Sequence, residues 1–528
     1  MKNKLGVLLK MQFMGSFGIN KLLHSKRKDK ALSLGGGIAG VALLFLLIEG
    51  LIFFYAWIFA AAFAEIQYEQ KGALYMSFIF LLSNILLFFF SVANVNGKIF
   101  GFRDYEMTVS LPVKTWHIAL SKILFLYLSN LGAVVALTVP FWLFGAAYLG
   151  FSAETHLSTL LLMFFTPLLP TTVAVFLGTL LALCTARMKH KNIIQTVLFV
   201  AIFLAAFIAP YAFRGDAASE DVANMASGLA FAAALYGKLW IAALYSLASA
   251  ALFALPCLFI GKNFTKINTL VLSHRTRSKY KFREQKTAGK LKAVFVKELK
   301  RLFNSPVYAM NTLCGPILML VMPFVVLFGT GGFDLAALRA SLAGYGMQAA
   351  LVLGLLSFFS GITPTTYCSI SLEGKNLWIL RSAPLSASTV LNAKLLVHAL
   401  VETLPAFVIT VAFGAVLGLN AFYIVGAVVF GTAMSFTFGI VGLLINLCFP
   451  MLEWENETIP VKRSKSCIFT MLADLLLAIA FGAVGFLLAG VNAWLGLAVI
   501  AVLSVAALLS GLYILYGPGE KLYANLIK

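Results

Sequence analysis

The chain has 528 residues, of which 61% are hydrophobic and only 11% are charged, and its mean hydropathy is +0.94. A soluble domain needs about 25% charged residues to cover its surface, so this composition excludes a soluble protein and indicates a polytopic integral membrane protein. A net charge of +20 would favour a nucleic-acid partner for a soluble protein, but here the side of the membrane on which each charge lies matters more.

Twelve apolar runs are long enough, at about 20 residues each, to cross the hydrocarbon core of a bilayer. They predict an all-α polytopic membrane protein, and their even number places both termini on one side. Six cysteines lie singly within apolar runs without metal-ligand spacing, so no metal site is expected. In chain order, we place the spans at 36–63, 73–95, 123–148, 157–185, 193–213, 239–261, 309–330, 345–370, 395–418, 421–449, 467–489 and 493–516.

The basic residues predict the orientation. If the N-terminus is cytoplasmic, 36 of the 40 Lys and Arg residues fall in inner loops, and only Lys71, Arg214, Lys238 and Arg339 fall outside. Cytoplasmic loops of membrane proteins carry such an excess of basic residues, so we expect both termini in the cytoplasm.

A long polar stretch divides the chain. Residues 262–292 contain ten Lys or Arg and a single acid, Glu284. This pattern is typical of a cytoplasmic linker lying on anionic lipid headgroups, and no folded nucleic-acid-binding module accompanies it. We therefore predict a first transmembrane half at 1–261, a basic linker at 262–290 and a second half at 291–528.

The two halves resemble each other in sequence. After the second span the chain reads NGKIFGFRDYEMTVSLPVKTWHIALSKIL (96–124), and after the eighth it reads EGKNLWILRSAPLSASTVLNAKLL (373–396). Such a match predicts two parallel six-helix repeats related by an axis along the membrane normal, with the substrate pathway between the halves. Without a gap, Ser110, Pro112, Lys122 and Leu124 match Ser382, Pro384, Lys394 and Leu396.

Each half also opens with a basic amphipathic stretch. The two stretches are LGVLLKMQFMGSFGINKLL (5–23) and LKAVFVKELKRLF (291–303). Both are too polar to span a bilayer, and their pattern favours helices in the headgroup plane.

The chain lacks the motifs of nucleotide binding and catalysis. It contains no G-x-x-x-x-G-K-[ST] phosphate loop and no cytoplasmic segment long enough for an ATPase domain. We therefore expect no enzyme activity and no cofactor on this chain. If ATP drives the protein, a separate subunit binds it.

The loops 373–396 and 452–466 (LEWENETIPVKRSKS) resemble those of fused, double-length bacterial ABC-2-type permeases. The resemblance implies the transmembrane subunit of an ATP-binding cassette exporter in a bacterial cell membrane. It implies two copies of a separate ATPase that binds ATP and Mg²⁺, and an elbow helix before each half. A coupling helix after the second span of each half would contact the ATPase. The first loop, 102–122, departs from the family pattern by lacking the E-G-K-x-x-W order.

Projected onto this sequence, the coupling loops contain charged, aromatic and proline residues suited to an interface. The acids at 453–457 either contact the ATPase or pair with the basic residues that follow them. The candidate contact residues are Arg103, Glu106, Pro112, Trp116, Lys122, Lys375, Trp378, Arg381, Pro384, Lys394, Glu453, Glu455 and Glu457.

Polar residues inside the spans leave a second function open. Glu49, Glu402 and Asp474 are acids within apolar runs, Asn130 aligns with Glu402 in the repeat, and His398 lies one helical turn before Glu402. Such groups either form polar contacts between helices or carry protons. The alternative to an ABC exporter is therefore a proton- or ion-coupled secondary transporter with six plus six spans.

Overall fold

The structure is a computed structural model that describes residues 4–16, 28–64, 71–100, 105–186, 233–273, 289–328, 364–454, 457–489 and 492–526, with positions 194, 197 and 198. Every extended run of secondary structure within these ranges is helical, and none is a β-strand. A helix pairs its backbone N–H and C=O groups internally, which is required in a bilayer because hydrocarbon offers them no hydrogen-bond partner. The predicted all-α polytopic fold is confirmed.

The chain divides into two compact units, and the first comprises Met1–Lys191 and Ser219–Ser278. Its described part alternates short helices with long apolar ones. In chain order these are α1 (Lys4–Ser16), α2 (Lys28–Ala64), α3 (Lys71–Lys98), α4 (Tyr105–Val109), α5 (Thr115–Leu149), α6 (Ala153–Phe165), α7 (Leu168–Ala186) and α8 (Leu239–Ser273).

The second unit comprises Asn192–Ala218 and Lys279–Lys528. Two 3-10 segments (Thr365–Cys368 and Ser371–Asn376) and two π-helical turns (Ala399–Thr403 and Leu515–Gly519) interrupt its α-helices. Those helices are α9 (Lys290–Asn304), α10 (Pro306–Phe328), α11 (Leu377–Ser382), α12 (Ala387–His398), α13 (Leu404–Val416), α14 (Ala421–Cys448), α15 (Thr458–Lys462), α16 (Lys465–Ala489), α17 (Ala493–Ile514) and α18 (Glu520–Asn525).

Nine candidate membrane spans lie among the described residues, and each coincides with a predicted one. Helix α10 also lies at the predicted seventh span, 309–330. The candidate spans are Ala42–Ala61, Lys71–Val92, Thr115–Leu149, Ala153–Cys184, Leu239–Val271, Ala387–Val416, Ala421–Cys448, Thr458–Gly485 and Trp494–Asn525.

Two predicted spans fall largely outside the described residues. The fifth, 193–213, is described at three positions only, and the eighth, 345–370, only from Pro364. The predicted end of the eighth span is wrong, because Thr365–Cys368 is a buried 3-10 turn rather than part of an α-helix. Its four residues are all buried inside the protein.

The predicted linker at 262–290 also begins too early along the chain, because its first residues are helical. Helix α8 continues without a break to Ser273, twelve residues past the predicted end of the sixth span. Phe264 and Ile267 are buried, and they keep one face of this extension packed on the protein although Lys262 and Lys266 make it basic. The extension is therefore an amphipathic end of the helix.

The two units share an order of helix packing. In the first, α1 and α2 pack on α5, α3 packs on α7, and α7 packs on α8. In the second, α9 packs on α12, α10 on α13, the turn Thr365–Cys368 on α14, and α14 on α17. Since α12 and α13 together form the third span of their half, each of these contacts in one unit has a counterpart in the other. A duplicated chain would produce this correspondence.

Polar and apolar side chains are distributed as lipid requires. Helix α8 exposes Trp240, Leu244 and Leu247, whereas Ser246 and Ser249 on the same helix are buried. The Ser246 hydroxyl donates to the carbonyl of Ala242 at 2.7 Å, so it needs no partner from another helix. Large apolar groups therefore face hydrocarbon, and small hydroxyls permit close packing inside.

Candidate functional site

The elbow helix α9 carries an acid on its apolar face. Val294, Glu298 and Leu302 recur every four residues and are all buried. At 3.6 residues per turn, this spacing places them along one side of the helix. A buried carboxylate is costly unless cations or donors surround it, so Glu298 requires charged partners.

Lys394 supplies one of those partners from helix α12. This helix begins after Pro384, and its N-cap residue Ser386 accepts the backbone N–H of Thr389 at 3.2 Å. Lys394 is only 2% exposed, and its ammonium donates to the carbonyl oxygen of Ser369 at 2.9 Å. The sequence placed Lys394 among the ATPase contacts, but its side chain points into the protein and is inaccessible to a partner in this conformation.

Five charged side chains meet where α9, the segment Ser371–Asn376 and α12 converge. Glu373 Oε1 lies 2.8 Å from Arg301 Nη1 and 3.3 Å from Lys394 Nζ, and it also pairs with Lys297. Glu298 Oε1 lies 3.0 Å from both Lys394 Nζ and Lys297 Nζ. Two carboxylates thus hold three cations, which join three elements. We call this group the ion cluster: Lys297, Glu298, Arg301, Glu373 and Lys394.

Two members of the ion cluster, Glu373 and Arg301, have pKa values shifted by their neighbours. Burial would raise the pKa of Glu373, but Lys394, Arg301 and Lys297 outweigh burial and hold that pKa well below its ordinary value. Burial would likewise lower the pKa of Arg301, whereas Glu373 and Glu298 raise it instead. Both shifts favour the ionised forms. Glu373 and Arg301 are therefore charged at neutral pH.

A buried amide holds the segment next to the cluster. The Asn446 side-chain oxygen accepts the backbone N–H groups of Ile370 at 2.8 Å and Ser371 at 3.1 Å. Its amide nitrogen donates to the hydroxyls of Ser371 at 2.7 Å and Ser466 at 3.1 Å. Irregular backbone inside a membrane protein needs partners of this kind, because no water is present to supply them.

Trp454 packs on the tightest turn of the same segment. Gly374 has a φ of 55°, and a Cβ added there would lie 3.1 Å from Trp454 Nε1. That indole nitrogen donates to the carbonyl oxygen of Ser371 at 2.7 Å. Glu457 accepts a hydrogen bond from Ser305, which follows the elbow helix. The loop after the tenth span is therefore joined to the loop after the eighth and to the elbow helix.

Helix α11 presents apolar side chains to the exterior on this support. Leu377 and Leu380 are buried in the core below it, whereas Trp378 is 59% exposed and Ile379 is 52% exposed. Lys375, which precedes the helix, is also exposed. We call these exposed residues the α11 face: Lys375, Trp378 and Ile379.

The other predicted contacts in the second half have different surroundings. Pro384 and Glu453 are exposed, and Glu457 is half-buried through its bond with Ser305. Arg381 belongs to α11, but its side chain lies outside the described part of the structure, as does all of Glu455. The structure therefore brings Lys375, Trp378 and Pro384 to one surface and separates Lys394 from them.

The corresponding loop of the first half is also exposed. Glu106 on α4, Pro112 and Trp116 are accessible, and Lys122 is half-buried. Arg103 lies outside the described residues. The elbow helix α1 reaches this loop through Lys4, whose ammonium donates to the carbonyl oxygen of Pro112 at 3.2 Å. This half therefore presents an acid and a tryptophan on its loop.

The contact between the elbow and the third span is neutral in the first half. Gln12 Nε2 on α1 donates to Ser121 Oγ on α5 at 2.9 Å. Further along α5, Asn130 Nδ2 donates to Ser91 Oγ at 2.6 Å and to Thr171 Oγ1 at 2.7 Å. Asn130 thus makes polar contacts between three helices, one of the two roles open from the sequence.

The His398–Glu402 pair lies within the candidate span Ala387–Val416. His398 Nδ1 is 3.4 Å from Glu402 Oε2, and both side chains are fully buried. The backbone N–H of Thr365 donates to Glu402 Oε1 at 2.7 Å, and His398 Nε2 lies 2.8 Å from the carbonyl oxygen of Ser435. Sequence spacing predicted this pair, and the π-helical turn Ala399–Thr403 holds Glu402 in place.

Asp474 has no such partners. It is fully buried, and neither of its carboxylate oxygens makes a hydrogen bond within the part of the chain that the structure describes. Glu49, by contrast, is half-exposed on α2. The three acids predicted inside spans therefore occupy three different environments.

Sequence reasoning missed several members of these sites. Glu298, Glu373 and Asn446 were not predicted as site residues. A usable signal existed for Glu298, because an acid at the centre of an apolar helical stripe requires a partner. Nothing in the sequence links Glu373 to residues 76 positions earlier, since that pairing depends on the tertiary fold.

Helical spans, outward apolar side chains and buried polar contacts define a polytopic α-helical membrane protein. The chain belongs to the family described as membrane protein of 12 TMs, whose family model matches residues 40–516. That match also agrees with the predicted number of spans. Neither a curated protein nor a solved structure matches the chain.

Proposed function

We propose that the chain is the permease subunit of an ATP-binding cassette exporter in a bacterial cell membrane. Its cytoplasmic loops would dock on two copies of a separate ATPase, which would bind ATP and Mg²⁺. The observation that carries this proposal is the α11 face, where an exposed tryptophan lies above a buried ion cluster. Both termini would lie in the cytoplasm, as the basic residues predict.

A docking element must transmit force as well as bind. The segment before α11 is held by Glu373 in the ion cluster, by Asn446 and by Trp454. A displacement of Trp378 would therefore be transmitted through Arg301 to the elbow helix α9 and through Lys394 to the third span of the half. No flexible loop would have to deform first. Rigid contacts of this kind favour mechanical coupling.

The composition of the exposed loops fits a protein partner. Aromatic and arginine residues are enriched at interfaces, and a central aromatic anchor often supplies much of the binding free energy. Trp378 in the second half and Trp116 in the first are exposed tryptophans in corresponding loops. Two docking loops suit two copies of one ATPase.

The test compares Trp378→Ala with Trp240→Ala, which removes an exposed tryptophan from the candidate span of α8. Truncation of an interface anchor costs about 2–4 kcal/mol, or roughly 30- to 1,000-fold in affinity. Both variants should reach the membrane, but only Trp378→Ala should lose the ATP hydrolysis that purifies with the tagged wild-type chain. The ATPase would be identified by its phosphate loop in mass spectra. Equal hydrolysis in both variants would exclude α11 as the docking site.

A second candidate, an ion-coupled secondary transporter, is favoured by the buried His398–Glu402 pair. Such a carrier would need Glu402 for transport and would not need the α11 face. Glu402→Gln retains a side chain that can hydrogen-bond to the N–H of Thr365 but removes the charge. Loss of transport in this variant, with normal transport in Trp378→Ala, would favour the carrier over the exporter.

A further inference from the structure

Several buried oxygens around Glu402 have no hydrogen-bond partner in the described part of the chain. They belong to Asp474 (both oxygens), Thr470 and Thr365, and Glu402 Oε2 has only the ion-pair contact with His398 at 3.4 Å. In membrane proteins an unpartnered polar atom costs several kcal/mol, so a group of them in one region indicates a ligand. Two of the four residues are hydroxyl-bearing, and two are acids.

These residues lie on elements that pack together. The turn Thr365–Cys368 contacts both α14 and α16, and α14 also contacts the π-helical turn that carries Glu402. Thr470 and Asp474 are one turn apart on α16 and so share a face. A Cβ added at Gly442 of α14 would lie 2.9 Å from Thr366 Oγ1 and 3.3 Å from Thr470 Cγ2. Gly442 thus brings α16 close to the 3-10 turn.

The balance of charge identifies the kind of ligand. His398 has Nε2 against the Ser435 carbonyl and Nδ1 against the Glu402 carboxylate, so both nitrogens face acceptors. His398 is thus the basic partner of Glu402. No lysine, arginine or histidine forms an ion pair with Asp474 among the described residues, so Asp474 is an acid without a basic partner there. A monovalent cation would neutralise it, whereas a divalent ion would leave an excess charge.

The number of oxygens also distinguishes a metal ion from a proton. A proton on Asp474 would satisfy at most two oxygens, whereas a hard metal cation is bound by several oxygens at once. Interrupted helices are where transporters bind Na⁺, and this region combines a 3-10 turn with a π-helical turn. No group of three or more His, Cys, Asp or Glu residues suited to a metal occurs among the described residues. That result disfavours a transition metal.

We propose that Asp474, Glu402 and the hydroxyls of Thr470 and Thr365 form a binding site for Na⁺ inside the second unit. The ion would join the eleventh span, the ninth span and the turn at Thr365. Besides Glu402, the titratable and charged groups that face this region are His398 and Tyr308, whose hydroxyl donates to the Thr365 carbonyl at 2.5 Å. The proposal does not depend on the ATPase partner.

The experiment measures thermal unfolding and binding of radioactive sodium on the purified full chain in lipid nanodiscs, at constant pH and ionic strength. Relative to choline or K⁺, saturating Na⁺ should raise the unfolding midpoint by roughly 2–5 °C. Asp474→Asn should abolish both the midpoint shift and sodium binding. Thr470→Val, which keeps the shape and removes one oxygen, should weaken Na⁺ binding about 5- to 100-fold.

Glu49→Gln is the matched control, because it neutralises the other acid predicted within a span, which is half-exposed in the first unit. It should leave the Na⁺ response intact. Absence of any Na⁺-specific shift in the wild-type chain would overturn the proposal. So would a shift that survives in Asp474→Asn. In a separate pH series, a midpoint that responds to pH but not to Na⁺, with the response lost in Asp474→Asn, would also overturn it, because Asp474 would then carry only a proton.

Discussion

Glu298 on the elbow helix and Lys394 on the ninth span form a buried ion pair with a separation of 3.0 Å between Oε1 and Nζ. The two residues lie in separate helices, and neither is accessible to water in bulk. A helix expected to lie in the headgroup plane is thereby fixed to one that crosses the membrane. The pair connects the elbow helix α9 to the interior of the second unit.

Lys394→Met should strongly destabilise the protein. The substitution keeps a long side chain but leaves Glu298 and Glu373 with one cation fewer, and loss of one partner from a buried pair costs about 3–5 kcal/mol. The unfolding midpoint in detergent or nanodiscs should fall accordingly. Lys375→Met, which removes the same charge from an exposed position, should change stability by less than about 1 kcal/mol. Similar losses in both variants would contradict the importance of the cluster.

Glu373 should make the free energy of unfolding depend on pH in the acidic range. Its pKa is held below the ordinary value by Lys394, Arg301 and Lys297, against the effect of burial. Such a group stabilises the folded state above the pKa of an unfolded glutamate, about 4.3, and this contribution is lost as the pH falls towards the lower folded value. Unfolding curves should therefore shift to lower denaturant between about pH 5 and pH 3.

Two variants separate this effect from general acid denaturation. Glu373→Gln should be less stable than the wild type at neutral pH and should lose less stability on acidification. Glu453→Gln, which changes an exposed acid nearby, should keep the wild-type slope. A wild-type slope in Glu373→Gln would show that the acid sensitivity arises elsewhere.

Gly439→Ala should disturb the His398–Glu402 pair. A Cβ at position 439 would overlap the imidazole ring of His398, so the ring or the helix α14 must move. Overpacking of this kind typically costs about 1–3 kcal/mol. Gly132→Ala is the control, because nothing lies within 4 Å of its added Cβ. The control should be neutral or stabilising by up to about 1 kcal/mol in the same unfolding assay.

The predicted orientation can be tested by thiol labelling. In a background without the six native cysteines, Glu154→Cys and Ser382→Cys place single thiols on the loops after the third and eighth spans. With 36 of 40 basic residues assigned inside, position 154 should react with an impermeant reagent in intact cells and position 382 should not. Labelling of position 382 alone would reverse the assignment.

Local patterns in the sequence were sufficient for the spans. Apolar runs of membrane-spanning length can be recognised without tertiary information, and nine of them coincide with candidate spans in the described residues. The errors arose where a helix was amphipathic or interrupted. The basic end of α8 was interpreted as a linker because its buried residues, Phe264 and Ile267, are few and widely spaced.

The candidate sites were less predictable, because their members are distant in sequence. His398 and Glu402 were paired correctly, since four residues on a helix form one turn. Lys394 was placed among the ATPase contacts because it belongs to the second predicted coupling loop, 373–396. Its burial follows from Glu298 and Glu373, which reach it from 96 and 21 residues earlier. The periodicity of apolar residues along a helix does not reveal a contact between residues so far apart in sequence.

The π-helical turn Ala399–Thr403 determines which side of the following helix faces lipid. Each residue of an α-helix advances by about 100°, so removing one residue from this turn would rotate all of α13 by that angle. Leu404 and Phe407 now face outwards, and Ile409 and Thr410 face inwards. A single-residue deletion here would exchange parts of these two faces and bring a hydroxyl towards hydrocarbon. Length variation among relatives should therefore avoid residues 399–403 and accumulate in the loops.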